Sequence, residues 1–193
     1  MNNSKSLLIS STLFAASTFT FAASDPVNLN CDALLDQEYS TFEFIDNHNG
    51  TVTDLRTSLI WAKCTLGQTY VSGTNSCSSS GAENYIDWGD ALSAAAAYEV
   101  NNISGWRLPN IKELGSLVDR SCSAPTINLT LFPNTLSSIY YSSTPFKGSS
   151  IDANYDHLVS RVIDFSDGTE MPLTTPESSN TSYVIRAVKG GYN

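Results

Sequence analysis

The sequence predicts an α+β fold with two helices in its first half, a β-rich second half and two disulfides. Three observations carry this. Apolar residues recur at helical spacing over 88–98 and again over 111–118. Apolar and polar residues alternate over 159–165 and 183–188, as on a half-buried strand. Four cysteines, an even number, follow a leader with the layout of an export signal. At 193 residues the chain is long enough for one domain with a proper core. Hydrophobic residues at 41% and charged residues at 15% fit a folded protein, because disordered chains are usually poorer in apolar residues and richer in charge. A net charge of −9 argues against a nucleic-acid binder, which must neutralise phosphates.

Residues 1–22 carry one positive charge, Lys5, then Leu7, Leu8, Ile9, Leu13 and Phe14, and end among small residues with no acid before Asp25. This is the pattern of a secretory signal, with cleavage expected after Ala22. A membrane anchor is disfavoured because Ser10, Ser11, Thr12 and Ser17 interrupt a short apolar run. Cys31 lies too far beyond the cleavage point for lipid attachment. Loss of Lys5 leaves 9 basic and 19 acidic residues, so the mature chain carries about −10. Residues 23–40 read as a leader segment and 41–191 as the domain.

Export makes disulfides the default for Cys31, Cys64, Cys77 and Cys122. Of three possible pairings, Cys64–Cys77 and Cys31–Cys122 are favoured. The first closes a loop rich in Gly, Ser and Thr, and the second ties the N-terminal segment to the body. Closing a loop of about 15 residues is worth roughly 3 kcal/mol. A zinc site fails on spacing, since there is no Cys-x-x-Cys and only His48 and His157 could assist.

Each element has its own signal. Phe44 and Ile45, then Asn49-Gly50, then Val52 predict a hairpin with a type I′ turn. The same Asp46-to-Gly50 loop is a weak calcium motif, because the glycine falls at the fifth position and no acid at the twelfth. Residues 55–61 read as a second extended segment and 65–85 as a polar loop. Asp87 is the expected N-cap of a helix through Trp88, Ala91, Leu92, Ala95 and Tyr98. Asn110 and Glu113 form a capping box after Pro109, opening a helix with a stripe of Ile111, Leu114, Leu117 and Val118. Asp167-Gly168 marks a turn after the strand at 159–165.

Several of these segments together resemble one family. Gly50, Thr51, Val52, Asp54, Thr57, Leu59 and Trp61 match its opening pattern, with Ser58 where glycine is usual. Trp106, Arg107, Leu108, Pro109 and Glu113, within 106–119, are its most specific match. The runs 127–135, 140–145 and 183–191 follow in the expected order. The chain over 31–191 thereby resembles the Lcl C-terminal domain family. That resemblance implies a C-type-lectin-like domain exported from bacteria, acting as a binding module. In the founding adhesin the domain is a trimeric binder of sulfated glycosaminoglycans; here no collagen or heptad stalk signals an oligomer, although one is allowed.

The signature residues read as determinants of the fold, with Arg107 placed to pin loop carbonyls or a carboxylate such as Glu113 or Asp119. Trp61 and Trp88 likewise read as core aromatics. No enzyme is expected. No serine sits in a Gly-x-Ser-x-Gly elbow. The formylglycine-generating enzymes of related fold use a late cysteine pair, and no cysteine follows Cys122. His157, beside Asp156, reads as a surface-loop histidine. No cofactor is called for, though calcium stays open at Asp152, Asp156, Asp164 and Asp167.

The working surface is expected within 142–182, where aromatic and short polar side chains mix as in binding loops. Tyr141, Tyr155, His157 and Arg161 are its candidate ligand contacts, with Tyr140 and Tyr141 as a rigid edge. A chain near −10 repels a polyanionic ligand, so a neutral glycan or a surface protein is the expected partner. The reading is an adhesion or recognition module that is secreted, periplasmic or at the bacterial cell surface. The alternatives are an accessory subunit of a surface or secreted complex and, last, an enzyme.

Overall fold

A computed structural model describes residue 31 and residues 43–146, 160–173 and 183–190. Among the described residues, ten strands form two four-stranded sheets and a small hairpin, accompanied by two α-helices. β1 (Phe44–Asp46), β2 (Thr51–Asp54), β3 (Ile60–Ala62) and β10 (Val188–Lys189) make the first sheet, in that order and all antiparallel. β6 (Ile139–Pro145), β7 (Ser160–Asp164), β8 (Thr169–Leu173) and β9 (Tyr183–Val184) make the second, in the order β8-β7-β6-β9, with β9 parallel to β6. β4 (Tyr70–Val71) and β5 (Ser76–Cys77) form a hairpin inside the polar loop that was expected to lack strands.

The first hairpin forms, but not with the expected two-residue turn. Positive φ falls on His48 (54°) and Gly50 (83°), not on both Asn49 and Gly50. Two side chains impose this longer loop, since Asp46 Oδ1 accepts from the His48 amide (2.9 Å) and Asn49 Oδ1 from the Thr51 amide (3.1 Å). Gly50 is required there on space as well, because a Cβ would lie 2.9 Å from the Val100 side chain. The extended segment expected over 55–61 shortens to β3. Asp54 Oδ1 accepts from the amides of Arg56 (2.8 Å) and Thr57 (3.3 Å), which bends the chain away from the sheet.

Both helices start where their caps predict. In α1 (Trp88–Ala97) the Asp87 carboxylate accepts from the amides of Gly89 and Asp90, and Ala91 and Ala95 are the buried face. In α2 (Ile111–Gly115) both halves of the Asn110/Glu113 capping box are present. This helix is shorter than its apolar stripe. After Gly115 the chain tightens into i to i+3 bonds, Leu117 N to Leu114 O and Val118 N to Gly115 O, and still buries Leu117.

The last strand of the sequence reading divides. β9 belongs to the second sheet and β10 to the first, while 185–187 bridges them through Leu66 N to Ile185 O (3.0 Å) and Ala62 N to Ala187 O (2.9 Å). The central strands β3, β6 and β7 are covered on both faces, so their adjacent residues enter different cores. Trp61, Tyr140 and Ile163 pack with α2, Phe132 and Phe165. Ala62, Tyr141 and Val162 pack with α1, Trp106, Leu108 and Tyr183. Cys64 bonds Cys77 and Cys31 bonds Cys122, the favoured pairing. No helix among the described residues is long and apolar enough to cross a membrane.

Candidate functional site

The expected binding segment contributes structure as well as surface. Its 160–173 portion is the β7–β8 hairpin, whose Val162, Ile163 and Phe165 are core residues and whose turn has Gly168 at φ 77°. Tyr155 and His157, with Asp152 and Asp156, lie outside the described residues. Tyr141 is no surface edge. It sits on the central strand β6, 1% exposed, and its hydroxyl donates to Ile86 O (3.1 Å), because β6 is flanked by β7 and β9 and covered on both faces. Tyr140 is fully buried on the opposite face, with Thr65 Oγ1 2.9 Å from its hydroxyl. Both tyrosines leave the candidate contact surface.

Arg161 remains on it. Its guanidinium is ion-paired with Glu170 of the adjacent strand and lies over the Phe146 ring, 5.7 Å from the centroid. The two charged side chains are 34% and 43% exposed, so the cluster faces solvent. Register explains the meeting, since Ile163 pairs with Glu170 and Arg161 with Pro172, making Arg161 and Glu170 diagonal neighbours on one face. β6 runs from Pro145, opposite Ser160, directly into Phe146. The acids Asp164 and Asp167 are occupied as turn acceptors for Ser166 N and Thr169 N, both within 2.9 Å.

The signature residues are structural. Trp61 and Leu108 are buried, and Trp106 is 3% exposed with its indole N–H on Ile103 O (2.7 Å). Pro109 is buried before α2, and its carbonyl accepts from Ser143 N. Arg107 grips Glu113 through two bonds and donates to Gly190 O (2.8 Å). Hydrogen bonding to Glu113 raises the Arg107 pKa against its partial burial. Burial alone would raise that of Glu113, but the bonds from Arg107 and the Asn110 amide hold it below the usual carboxylate range. Trp88 is half-buried, donating to Ser142 O (2.8 Å) and so docking α1 on β6.

Two polar features escaped the sequence reading. Arg186 is 1% exposed, donates to Ala62 O (2.9 Å), Lys63 O and Thr135 Oγ1 (2.7 Å), and lies over Phe132. Burial lowers its pKa. Around Asp46 a second cluster gathers. Its carboxylate accepts from the fully buried Lys63 ammonium, from Asn75 Nδ2 (2.7 Å) and from the His48 amide. Asn75 Nδ2 also lies 2.8 Å from His48 Nδ1, and Asn75 Oδ1 accepts from the Tyr70 hydroxyl (2.9 Å). Burial opposes the charge on Asp46, yet these donors and the Lys63 charge hold its pKa below the ordinary value. The only local signal is a lysine directly before Cys64. Cys31, Asp119 and Cys122 also converge, but both sulfurs are spent in the disulfide.

With this geometry in hand, comparison with known proteins gives one match. The family model of the Lcl C-terminal domain matches residues 50–189. No curated protein and no solved structure matches the chain.

Proposed function

Because the chain belongs to the Lcl C-terminal domain family, we propose that it is an exported bacterial binding module with a C-type-lectin-like fold, recognising a neutral glycan or a surface protein. The observation that carries this reading is the solvent-facing cluster of Arg161, Glu170 and Phe146. A planar guanidinium presents parallel donors, the carboxylate presents acceptors and the ring presents an apolar face. A sugar's vicinal hydroxyls and C–H face complement such a set. The charged pair is neutral as a unit, and it sits on a chain of net charge −9. Both features favour an uncharged ligand over a sulfated polysaccharide.

The leader at 1–22 and the two disulfides fit export to an oxidising compartment. The test is a glycan array probed with the mature protein, with and without calcium, alongside Arg161→Ala and Glu170→Ala. Saturable binding to an uncharged glycan that both variants lose supports the reading. Binding that both variants retain removes the site assignment. Failure to bind any sugar, with a stoichiometric protein co-purifying, favours the accessory-subunit role.

A further inference from the structure

One carboxylate oxygen, Asp46 Oδ2, accepts simultaneously from Lys63 Nζ and from Asn75 Nδ2. Two hydrogen bonds to a single oxygen keep their donor nitrogens within roughly 5.5 Å of each other. The Asn75 carboxamide carbon is bonded to one of those nitrogens. The approach is fixed by covalent structure, because Lys63 precedes Cys64, Asn75 lies two residues before Cys77, and the disulfide holds Cys64 and Cys77 with their Cα atoms 5.5 Å apart. Lys63 is sealed from water at 0% side-chain exposure. The Tyr70 hydroxyl already donates to the Asn75 carbonyl oxygen.

We infer that Lys63 and Asn75 are the partners of an intramolecular amide cross-link, with Asp46 as the proton carrier between them. A proton first passes from the Lys63 ammonium to Asp46 along their existing bond. The freed Nζ lone pair forms a bond to Asn75 Cγ, and the carbonyl electrons move onto Oδ1, where the Tyr70 hydroxyl stabilises them as an oxyanion donor does. Collapse of that adduct breaks the Cγ–Nδ2 bond. Asp46 conveys two protons in turn from Nζ to Nδ2, which leaves as ammonium, and Asp46 ends as the carboxylate it began as. Nothing is oxidised or reduced and no water is consumed. Holding amine and amide in one geometry supplies the effective concentration that the reaction lacks in solution. The bond would join the end of β3 to the β4–β5 hairpin beside the disulfide. It concerns how the domain is built and is independent of what it binds.

Trypsin mapping of the reduced, alkylated mature protein tests this. No lysine or arginine lies between Lys63 and Arg107, nor between Arg56 and Lys63. An unlinked chain therefore yields two peptides, 57–63 and 64–107. The cross-linked chain yields residues 57–107 as one piece lacking the mass of one ammonia, because an acylated lysine is not cleaved. After prolonged incubation at neutral pH this single piece is the expected result. Asp46→Asn and Lys63→Arg should give the full, unlinked mass, and Tyr70→Phe should slow formation several-fold should Asp46→Asn not fold. Recovery of the two separate peptides from the incubated wild-type chain overturns the inference. So does an undiminished ammonia loss in Asp46→Asn.

Discussion

Arg107 and Glu113 are joined by two parallel hydrogen bonds, of 2.8 and 2.7 Å, that tie the entry of α2 to the end of the chain. Glu113 Oε2 also accepts from the Asn110 amide (2.8 Å), and Arg107 reaches Gly190 O. One carboxylate thus completes the helix cap and the clasp at once. Glu113→Gln should cost up to about 1 kcal/mol, the range of a part-exposed ion pair, because a glutamine there can still accept from the Asn110 amide. The loss should depend on pH. Because the folded-state pKa of Glu113 is lowered, its contribution is complete above the ordinary glutamate value of about 4.3 and is lost as pH falls through the lower, folded value. Urea unfolding of wild type and variant should therefore differ at neutral pH and converge in acid.

Arg186 is an interior cation that donates to two carbonyls and to the Thr135 hydroxyl. Truncating it leaves Ala62 O, Lys63 O and Thr135 without their donor in a place water does not reach. Arg186→Leu should therefore destabilise by about 3 kcal/mol or more, although it removes a buried charge. Arg186→Lys keeps the charge but has no fork to span the three acceptors, and should recover only part of the loss. Chemical denaturation of both variants checks the order wild type, Lys, Leu.

Local chemistry was legible in the sequence and long-range chemistry was not. Asp87 and Asn110 announced their helices because a cap acts on amides two or three residues away. The pairing of Cys64 with Cys77 followed from a short loop. Tyr140 and Tyr141 misled because a strand buried on both faces has no alternation to reveal which neighbour it serves. Nothing local marks Gly67, yet a Cβ there would lie 2.2 Å from Gly81 O. Lys63, Asp46 and Asn75 come from three separate stretches of the chain, so only the folded chain makes them a cluster. Arg161 was identified, but its partner Phe146 depended on where β6 ends.

Ser58 occupies the left-handed region, with φ of 58°. The family pattern has glycine at this place, between Thr57 and Leu59, and the structure supplies the reason. The bend imposed by Asp54 must be undone before β3, and an L-residue is strained in the conformation that does so. Against that gain stands the greater unfolded-state freedom of glycine. Ser58→Gly should stabilise the domain by about 0.5–1 kcal/mol. A rise in the urea midpoint with an unchanged slope checks it, whereas Ser58→Val should lower the midpoint.

Tyr141 and Arg161 should separate stability from recognition. The Tyr141 hydroxyl donates to Ile86 O from inside the sheet, where burial pushes its pKa up, and it touches no described surface. Tyr141→Phe removes that bond and strands a carbonyl, costing about 1 kcal/mol while leaving ligand affinity as it was. Arg161→Ala does the reverse. Its pair with Glu170 is open to water and worth little to the fold, roughly 0–1 kcal/mol. On the ligand that the array or co-purification identifies, it should reduce affinity at least tenfold, because it removes the planar donor set that lies over the Phe146 ring. Melting curves and binding isotherms of the two variants, measured together, should show opposite patterns; a Tyr141→Phe variant that loses affinity at full stability would return that residue to the binding surface.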